Sequence, residues 1–346
     1  MKMNPLGRTG IQVSRICLGT MTFGQQNTEE EGHRQMDMAV DHGVNFFDTA
    51  EAYSFPGRPE TQGRSEEIIG SWMQARGNRD KVVIATKITG PSNERSHIRG
   101  GKLNFSREQV TDAVDLSLKR LKTDVIDLYQ THWPERKANY FGRLDYAHTD
   151  SDDGTPMEEQ LSALGEQVKA GKIRAIGVSN ETAWGLMKFQ EIAERTGLPR
   201  IASIQNPFNL ICRQFEIGLS EVAIREDAGL LAYSPLGFGA LTGKYLNGQL
   251  PDASRHKLFP QFMRYFKPNG VRATEAYVAL AGKHGLDPAQ MALAFVHSRP
   301  FLTSTIIGAT TPEQLQSNLD TEDMALPDDV LAGIDAIHAE DTNPAP

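Results

Sequence analysis

Four side chains of this 346-residue chain are of the types that proton transfer at a carbonyl needs: Asp48, Tyr53, Lys87 and His132. Asp48 and Tyr53 share one stretch, Asn45-Phe-Phe-Asp-Thr-Ala-Glu-Ala-Tyr53, in which a short apolar run ends in a carboxylate and a tyrosine follows five residues later. A buried strand ending this way delivers both side chains to the rim of a pocket. Tyrosine, with an ordinary pKa near 10, is a poor proton donor-acceptor at neutral pH unless a cation adjoins it. At about 4 Å and an effective dielectric of about 20, a lysine ammonium stabilises tyrosinate by roughly 4 kcal/mol. A two-unit shift requires only about 3 kcal/mol, so Lys87 is expected to lower the Tyr53 pKa. Asp48 would keep the lysine protonated and oriented, and His132 would bond the substrate oxygen or relay a proton. These are the parts for reducing a carbonyl. None can supply hydride, so a nicotinamide is required.

A second set meets that need. Ser179, Asn180 and Gln205 could bond a carboxamide, and Tyr233 could stack on a flat ring. Lys244 and Arg255, in a glycine-rich loop, could meet phosphates, as could the free N-H groups of a helix starting near Pro312. Lys87, His132, Ser179, Asn180, Gln205, Tyr233 and Ser234 all occupy the last residue or two of strand-like runs, or the position just past them.

The elements that must position these residues repeat with some regularity. Residues 2 to 15 form a small hairpin with Gly7 and Gly10 in its turn, and Ile16-Cys-Leu-Gly19 is the first buried strand. Thr28 with Glu31 makes a capping box for a helix to about His42. Further strands are expected at Val44 to Asp48, Lys81 to Thr86, Val125 to Gln130, Arg174 to Val178, Ala202 to Ile204, Gly229 to Ala232 and Ser304 to Ile307. Helices from Ser65, from a Ser106/Gln109 capping box, from Met157 and from Ala183 alternate with them, and two more precede the eighth strand. Eight short strands, each followed by a helix and with no break in composition, predict one (β/α)8 TIM barrel over 1–346, with an N-terminal hairpin and extra C-terminal helices. Such barrels build their sites at the C-terminal strand ends, where the reactive residues lie. Residues 88 to 105 and 134 to 156 are long enough to be binding loops. Trp133, Tyr140, Phe141 and Tyr146 could line an apolar slot there.

Composition excludes other classes. The formal charge of −8 lacks the basic stripe of a nucleic-acid binder. No run of about 18 apolar residues and no secretion signal is present, so no membrane span and a cytoplasmic location are expected. Two distant cysteines, Cys17 and Cys212, suit reduced buried residues, and no metal-ligating cluster is visible. Gly237-Phe-Gly239-Ala-Leu-Thr-Gly243-Lys244 is one residue too long for a Walker A loop and continues with Tyr245.

At Asp48-Thr-Ala-Glu-Ala-Tyr53, Lys87, Tyr129-Gln-Thr-His-Trp-Pro134, Gly177-Val-Ser-Asn180, Gln205-Asn-Pro, Tyr233-Ser-Pro-Leu-Gly237 and Gly308-Ala-Thr-Thr-Pro-Glu-Gln-Leu315 the chain resembles the aldo-keto reductases over nearly its whole length. The resemblance implies a barrel binding NADPH without a Rossmann motif and an oxidoreductase acting on small carbonyl compounds. Tyr53 would be the proton donor, partnered by Asp48, Lys87 and His132. Thr20, Met21, Asp48, Ser179, Asn180, Gln205, Tyr233, Ser234, Pro235, Leu236, Gly237, Gly239, Lys244, Arg255, Gly308, Thr310, Gln314 and Asn318 would hold the cofactor. Phe23, Tyr53, His132 and Trp133 would face substrate. Family members often carry charge where Gln314 or Ser317 stands, which leaves the choice between NADPH and NADH open. Two other readings share these residues: a non-catalytic NADPH-binding regulatory barrel like the potassium-channel beta subunits, and a Schiff-base aldolase using Lys87.

Overall fold

The computed structural model describes residues 1–149 and 154–346. Residues 150–153, within the long loop noted above, lie outside the described residues. Strands β1 (Met3–Pro5) and β2 (Gln12–Ser14) pair antiparallel. Eight parallel strands then close on themselves: β3 (Ile16–Gly19), β4 (Phe46–Asp48), β5 (Val83–Ile88), β6 (Ile126–Thr131), β7 (Ile173–Ser179), β8 (Ile201–Pro207), β9 (Gly229–Tyr233) and β10 (Leu302–Ile307). They follow in chain order around the barrel, with β10 returning to β3. Outside run α1 (Glu29–Asp41), α2 (Arg64–Arg76), α3 (Arg107–Leu121), α4 (Met157–Lys169) and α5 (Ala183–Thr196). Short α6 (Phe215–Gly218) and α7 (Ser220–Arg225) follow β8, and α8 (Arg255–Leu258), α9 (Pro268–Lys283) and α10 (Pro288–His297) lie between β9 and β10. The chain finishes with α11 (Pro312–Leu319) and α12 (Asp328–Glu340). This is the (β/α)8 architecture. No helix among the described residues is long and apolar enough to cross a membrane.

Strand alternation explains how the barrel carries a polar site on an apolar plug. Cys17, Phe46, Val83, Ala85, Leu128, Ala175, Leu231 and Ile306 form one buried cluster inside the barrel. Leu6, Ile11 and Val13 of the hairpin join that cluster and close its lower mouth. Two residues beyond the plug on the same inward face come Asp48 after Phe46, Lys87 after Ala85, Gln130 after Leu128 and Tyr233 after Leu231. The register sets neighbouring strand ends level, pairing Lys87 with Gln130 and Ser179 with Gln205.

Three local expectations change. The third barrel strand runs Val83–Ile88 instead of Lys81 to Thr86: a 3-10 turn at Arg79–Lys81 delays its start, and pairing of Lys87 and Ile88 with Gln130 and Thr131 extends its end. Lys87 is therefore inside the strand, held there by a buried partner that its charge alone would not suggest. The Ser106 cap is one-sided: its hydroxyl accepts from Gln109 N with no return bond from the glutamine, whereas Thr28 and Glu31 make the full reciprocal box. Helix α8 lies in the stretch read as a glycine-rich loop, and the short pair α6 and α7 stands where one helix was expected after the sixth barrel strand.

Helix α2 meets α3 at Gly70, where an added Cβ would lie 2.4 Å from the Arg120 carbonyl oxygen. In an open helix, Gly→Ala gains about 1 kcal/mol. Here we expect Gly70→Ala to lose about 1–3 kcal/mol through overpacking against fixed backbone. A fall in the urea midpoint at unchanged slope checks this, and a rise refutes the close approach.

Candidate active site

The C-terminal rim of the barrel opens into a cavity of about 1120 Å³. Its floor is a buried polar network centred on Asp48. The Lys87 Nζ donates to Asp48 Oδ2 and to the Thr49 carbonyl, both at 2.7 Å. Asp48 Oδ1 accepts from Gln205 Nε2 at 2.8 Å and from Gln130 Nε2 at 3.4 Å. Lys87 is fully buried and borders the cavity only through what covers it, the Tyr53 ring, whose centroid lies 5.0 Å from the ammonium. His132 meets Tyr53 edge-on, with ring centroids 5.7 Å apart, and packs on Trp133 at 4.8 Å. The four reactive residues, distant in sequence, converge.

Electrostatics sort them. Burial opposes the Lys87 charge, yet Asp48 and the tyrosine carry its pKa above the ordinary lysine value. Burial pushes the Tyr53 phenol up, and the opposing pull of Lys87 is smaller, so the net shift is upward. This reverses the expected lowering. Coulomb's law can be applied to a sequence by assuming contact, but the desolvation that outweighs it depends on burial. His132 is driven well below its usual range by burial, then by Lys87 and Arg95, and so stays neutral. Its Nδ1 is buried without a hydrogen-bond partner. A protonated Lys87 with a raised pKa is the opposite of what a Schiff-base nucleophile requires.

Beside this floor the strand ends of β7, β8 and β9 are knitted together. The Tyr233 hydroxyl donates to Asn180 Oδ1 at 2.7 Å, Asn180 Nδ2 donates to the His132 carbonyl at 2.9 Å, and the Ser179 hydroxyl donates to the Gln205 carbonyl at 2.8 Å. Asn180 and Ser234 both hold φ of +53°, a conformation costly for non-glycine residues and characteristic of functional strand ends. At the far end, α11 begins with Thr311 capping Gln314 N, while Gln314 Oε1 accepts from Thr310 N. Lys244 and Arg255 also border the cavity. The Arg255 guanidinium stacks over Phe238 at 4.5 Å and Phe55 at 5.3 Å, and burial lowers its pKa to about 10. Its Nε is a buried donor with no acceptor.

Of the residues expected around cofactor and substrate, most do border the cavity: Met21, Asp48, Tyr53, His132, Trp133, Ser179, Asn180, Gln205, Tyr233, Ser234, Pro235, Leu236, Gly239, Lys244, Arg255, Gly308, Thr310, Gln314 and Asn318. Three do not. Thr20 is buried behind the rim, its hydroxyl donating to the Asp48 carbonyl at 2.9 Å. Gly237 is buried against Ile211 and Tyr265. Phe23 is fully buried in the core, where it packs on Gly32 of α1. Of the loop aromatics only Trp133 and Phe141 line the slot; Tyr146 is exposed and hydrogen-bonds His148. Sequence reasoning missed Phe55, Arg95, Phe262, Met263 and Arg264 on the wall. The aromatic density of residues 259–266 was a signal that could have found three of these.

A carboxylate, a lysine, a tyrosine and a histidine meet at the C-terminal rim of a parallel barrel, the face on which TIM-barrel enzymes build their sites. The chain belongs to the aldo/keto reductase family, whose model matches residues 15–339. It is 50% identical over 347 residues, with 100% of both chains covered, to Protein tas of Escherichia coli (strain K12). It is 35% identical to the uncharacterized oxidoreductase YrpG of Bacillus subtilis (strain 168), over 96% of this chain and 94% of that one. A probable voltage-gated potassium channel subunit beta of Arabidopsis thaliana is 30% identical over 94% of this chain and 92% of its own. Membership makes this chain one of the NAD(P)-dependent oxidoreductases.

Proposed function

We propose that this protein reduces aldehyde or ketone carbonyls with NADPH, Tyr53 supplying the proton. The observation that carries the reading is the meeting of Tyr53, Lys87, Asp48 and His132 at a cavity whose wall also offers Lys244, Arg255 and the N-terminus of α11. That cavity, at about 1120 Å³, exceeds the roughly 300–1,000 Å³ of a single-ligand pocket. The unpartnered Arg255 Nε fits an anionic occupant, so the residues present suit a dinucleotide phosphate. When bound, the nicotinamide supplies hydride to the carbonyl carbon.

The chain's own residues do the rest. Asn180, Ser179 and Gln205 present polar groups for the carboxamide, and Tyr233 offers a flat face. Lys87 holds a positive charge under the Tyr53 ring and favours the phenolate that proton donation leaves behind. Neutral His132 bonds the substrate oxygen and fixes its direction toward the phenol. Trp133, Phe141 and Phe55 keep water from the reacting end.

Turnover of a panel of aldehydes with NADPH tests this directly. The second reading, a regulatory dinucleotide-binding barrel, draws on the likeness to the potassium-channel subunit, and predicts binding of NADPH with no turnover of any of them. For cofactor choice, Lys244→Ala should weaken NADPH by about ten-fold, the scale of one charge-assisted contact, and NADH by much less. Equal weakening in a fluorescence titration would remove Lys244 from the 2′-phosphate.

A further inference from the structure

We propose that Arg95 is an anion-recognition residue that makes this enzyme selective for carbonyl substrates bearing a carboxylate. The inference rests on the reductase reading and names its substrate class.

Arg95 borders the cavity at the end where Tyr53 and His132 stand. Its guanidinium lies over the Trp133 ring, 5.6 Å from the centroid, and Trp133 in turn packs on His132. On its other side Nη1 lies flush against the loop after Tyr53, 2.7 Å from where a Cβ on Gly57 would be. The guanidinium thus lies between an indole and a bare backbone, on the wall of the cavity. Its field reaches the site: Arg95 acts on the His132 ring, and Tyr53 acts on Arg95.

Among the described residues, no carboxylate or carbonyl hydrogen-bonds or ion-pairs with this guanidinium. The other arginines of the wall are placed differently. Arg264 Nε donates to the Pro346 carbonyl at 2.8 Å, and Arg255 is stacked between Phe55 and Phe238 with its unpartnered Nε buried. Glu94, next to Arg95 in the chain, forms no ion pair with it. A partly desolvated guanidinium without a partner is costly to keep. Five donors in a fixed fork match a carboxylate bidentately.

The loop carrying Arg95 is also fixed relative to the reacting group. Its backbone carbonyl accepts from Ile98 N at 3.0 Å, and Arg99 pairs with Glu51 at 3.1 Å. Glu51, three residues beyond Asp48, also accepts from Thr89 N. Both ends of the loop are therefore tied to the stretch that carries Tyr53. A carbonyl seated at Tyr53 places a substituent across the slot at Arg95.

The test compares 4-formylbenzoate with its methyl ester, two aldehydes that differ in charge. We expect wild-type protein with NADPH to show kcat/KM for the carboxylate about ten- to a hundred-fold above the ester, the range of a charge-assisted pair. The difference should reside mainly in KM. In Arg95→Met the ratio should collapse toward one. Because the Arg95 side chain makes no hydrogen bond within the protein, this variant should fold normally, and an undiminished melting temperature verifies it. A wild-type ratio near one, or a ratio that survives in Arg95→Met, overturns the proposal. So does a loss of NADPH affinity in the variant as large as the loss for the carboxylate, which would assign Arg95 to the cofactor. If neither aldehyde turns over, the reductase reading fails separately. Equilibrium binding of the same two compounds to NADP⁺-saturated protein then decides: equal affinities refute an anion site, and a carboxylate preference lost in Arg95→Met upholds it.

Discussion

Replacing Tyr53 with phenylalanine should cut kcat for carbonyl reduction by roughly a hundred- to ten-thousand-fold, the contribution of a positioned general acid, while NADPH binding stays within a few-fold. The variant keeps the aromatic ring that covers Lys87 and meets His132, so packing is preserved and only the hydroxyl is lost. His132 cannot take over as acid. Burial, Lys87 and Arg95 hold it neutral, and neutral imidazole is a far weaker proton donor than imidazolium. Lys87 cannot replace it either, being fully buried beneath the ring and bonded to Asp48 and Thr49. The direction of the Tyr53 shift adds a pH signature. Because its pKa is raised, the phenol keeps its proton throughout the neutral range. Reduction should stay flat up to at least about pH 10, the ordinary phenol value, and alcohol oxidation, which needs the deprotonated form, should still be rising there. Full activity in Tyr53→Phe, or reduction that falls off near pH 7, would assign the proton to another group.

The barrel and the reactive four were legible because both are written in short-range pattern. Each strand is a brief apolar run, and the side chains that break its apolarity at the end are the ones that reach the rim: Asp48, His132, Ser179, Gln205 and Tyr233. What escaped depends on contacts between elements. Lys87 was placed beyond its strand because a lysine reads as solvated, whereas the inward alternation continues through it and Asp48 waits across the strand pair. Phe23 follows a rim strand and resembles a pocket aromatic, but Gly32 of α1 and Ile68 of α2 leave a space that it fills. Phe55, Arg95 and Phe262 sit on connections whose course no local periodicity dictates. The Tyr53 shift failed for the same reason: the attraction of a nearby charge can be postulated, and the loss of water around it cannot.

The other large effect is expected at Asp48, where asparagine removes the charge with little change of volume. Lys87 would keep the Thr49 carbonyl but lose its counter-ion at full burial. Breaking such a pair from one side costs about 3–5 kcal/mol, because the remaining charge has neither water nor partner. The sign of the pH dependence identifies the cause. In the wild type Asp48 outweighs burial and raises the Lys87 pKa. The stability this contributes is therefore present below the unfolded lysine value, about 10.4, and is lost only as pH climbs through the higher folded value. In Asp48→Asn, burial, the largest single influence, loses its main opponent, so the folded pKa should drop below the unfolded one. The unfolded chain then binds more protons than the folded one, and stability must rise with pH up to about 10. Urea midpoints measured from pH 7 to 9.5 should accordingly converge, the variant gaining on the wild type. A constant gap would mean that Lys87 stays charged by recruiting another partner, and that Asp48 acts through Gln205 and Gln130 alone. Activity should fall with stability, since the cation that favours the Tyr53 phenolate is the one Asp48 maintains. If the lysine has become neutral, raising the pH restores the fold without restoring turnover, which separates loss of the charge from loss of structure.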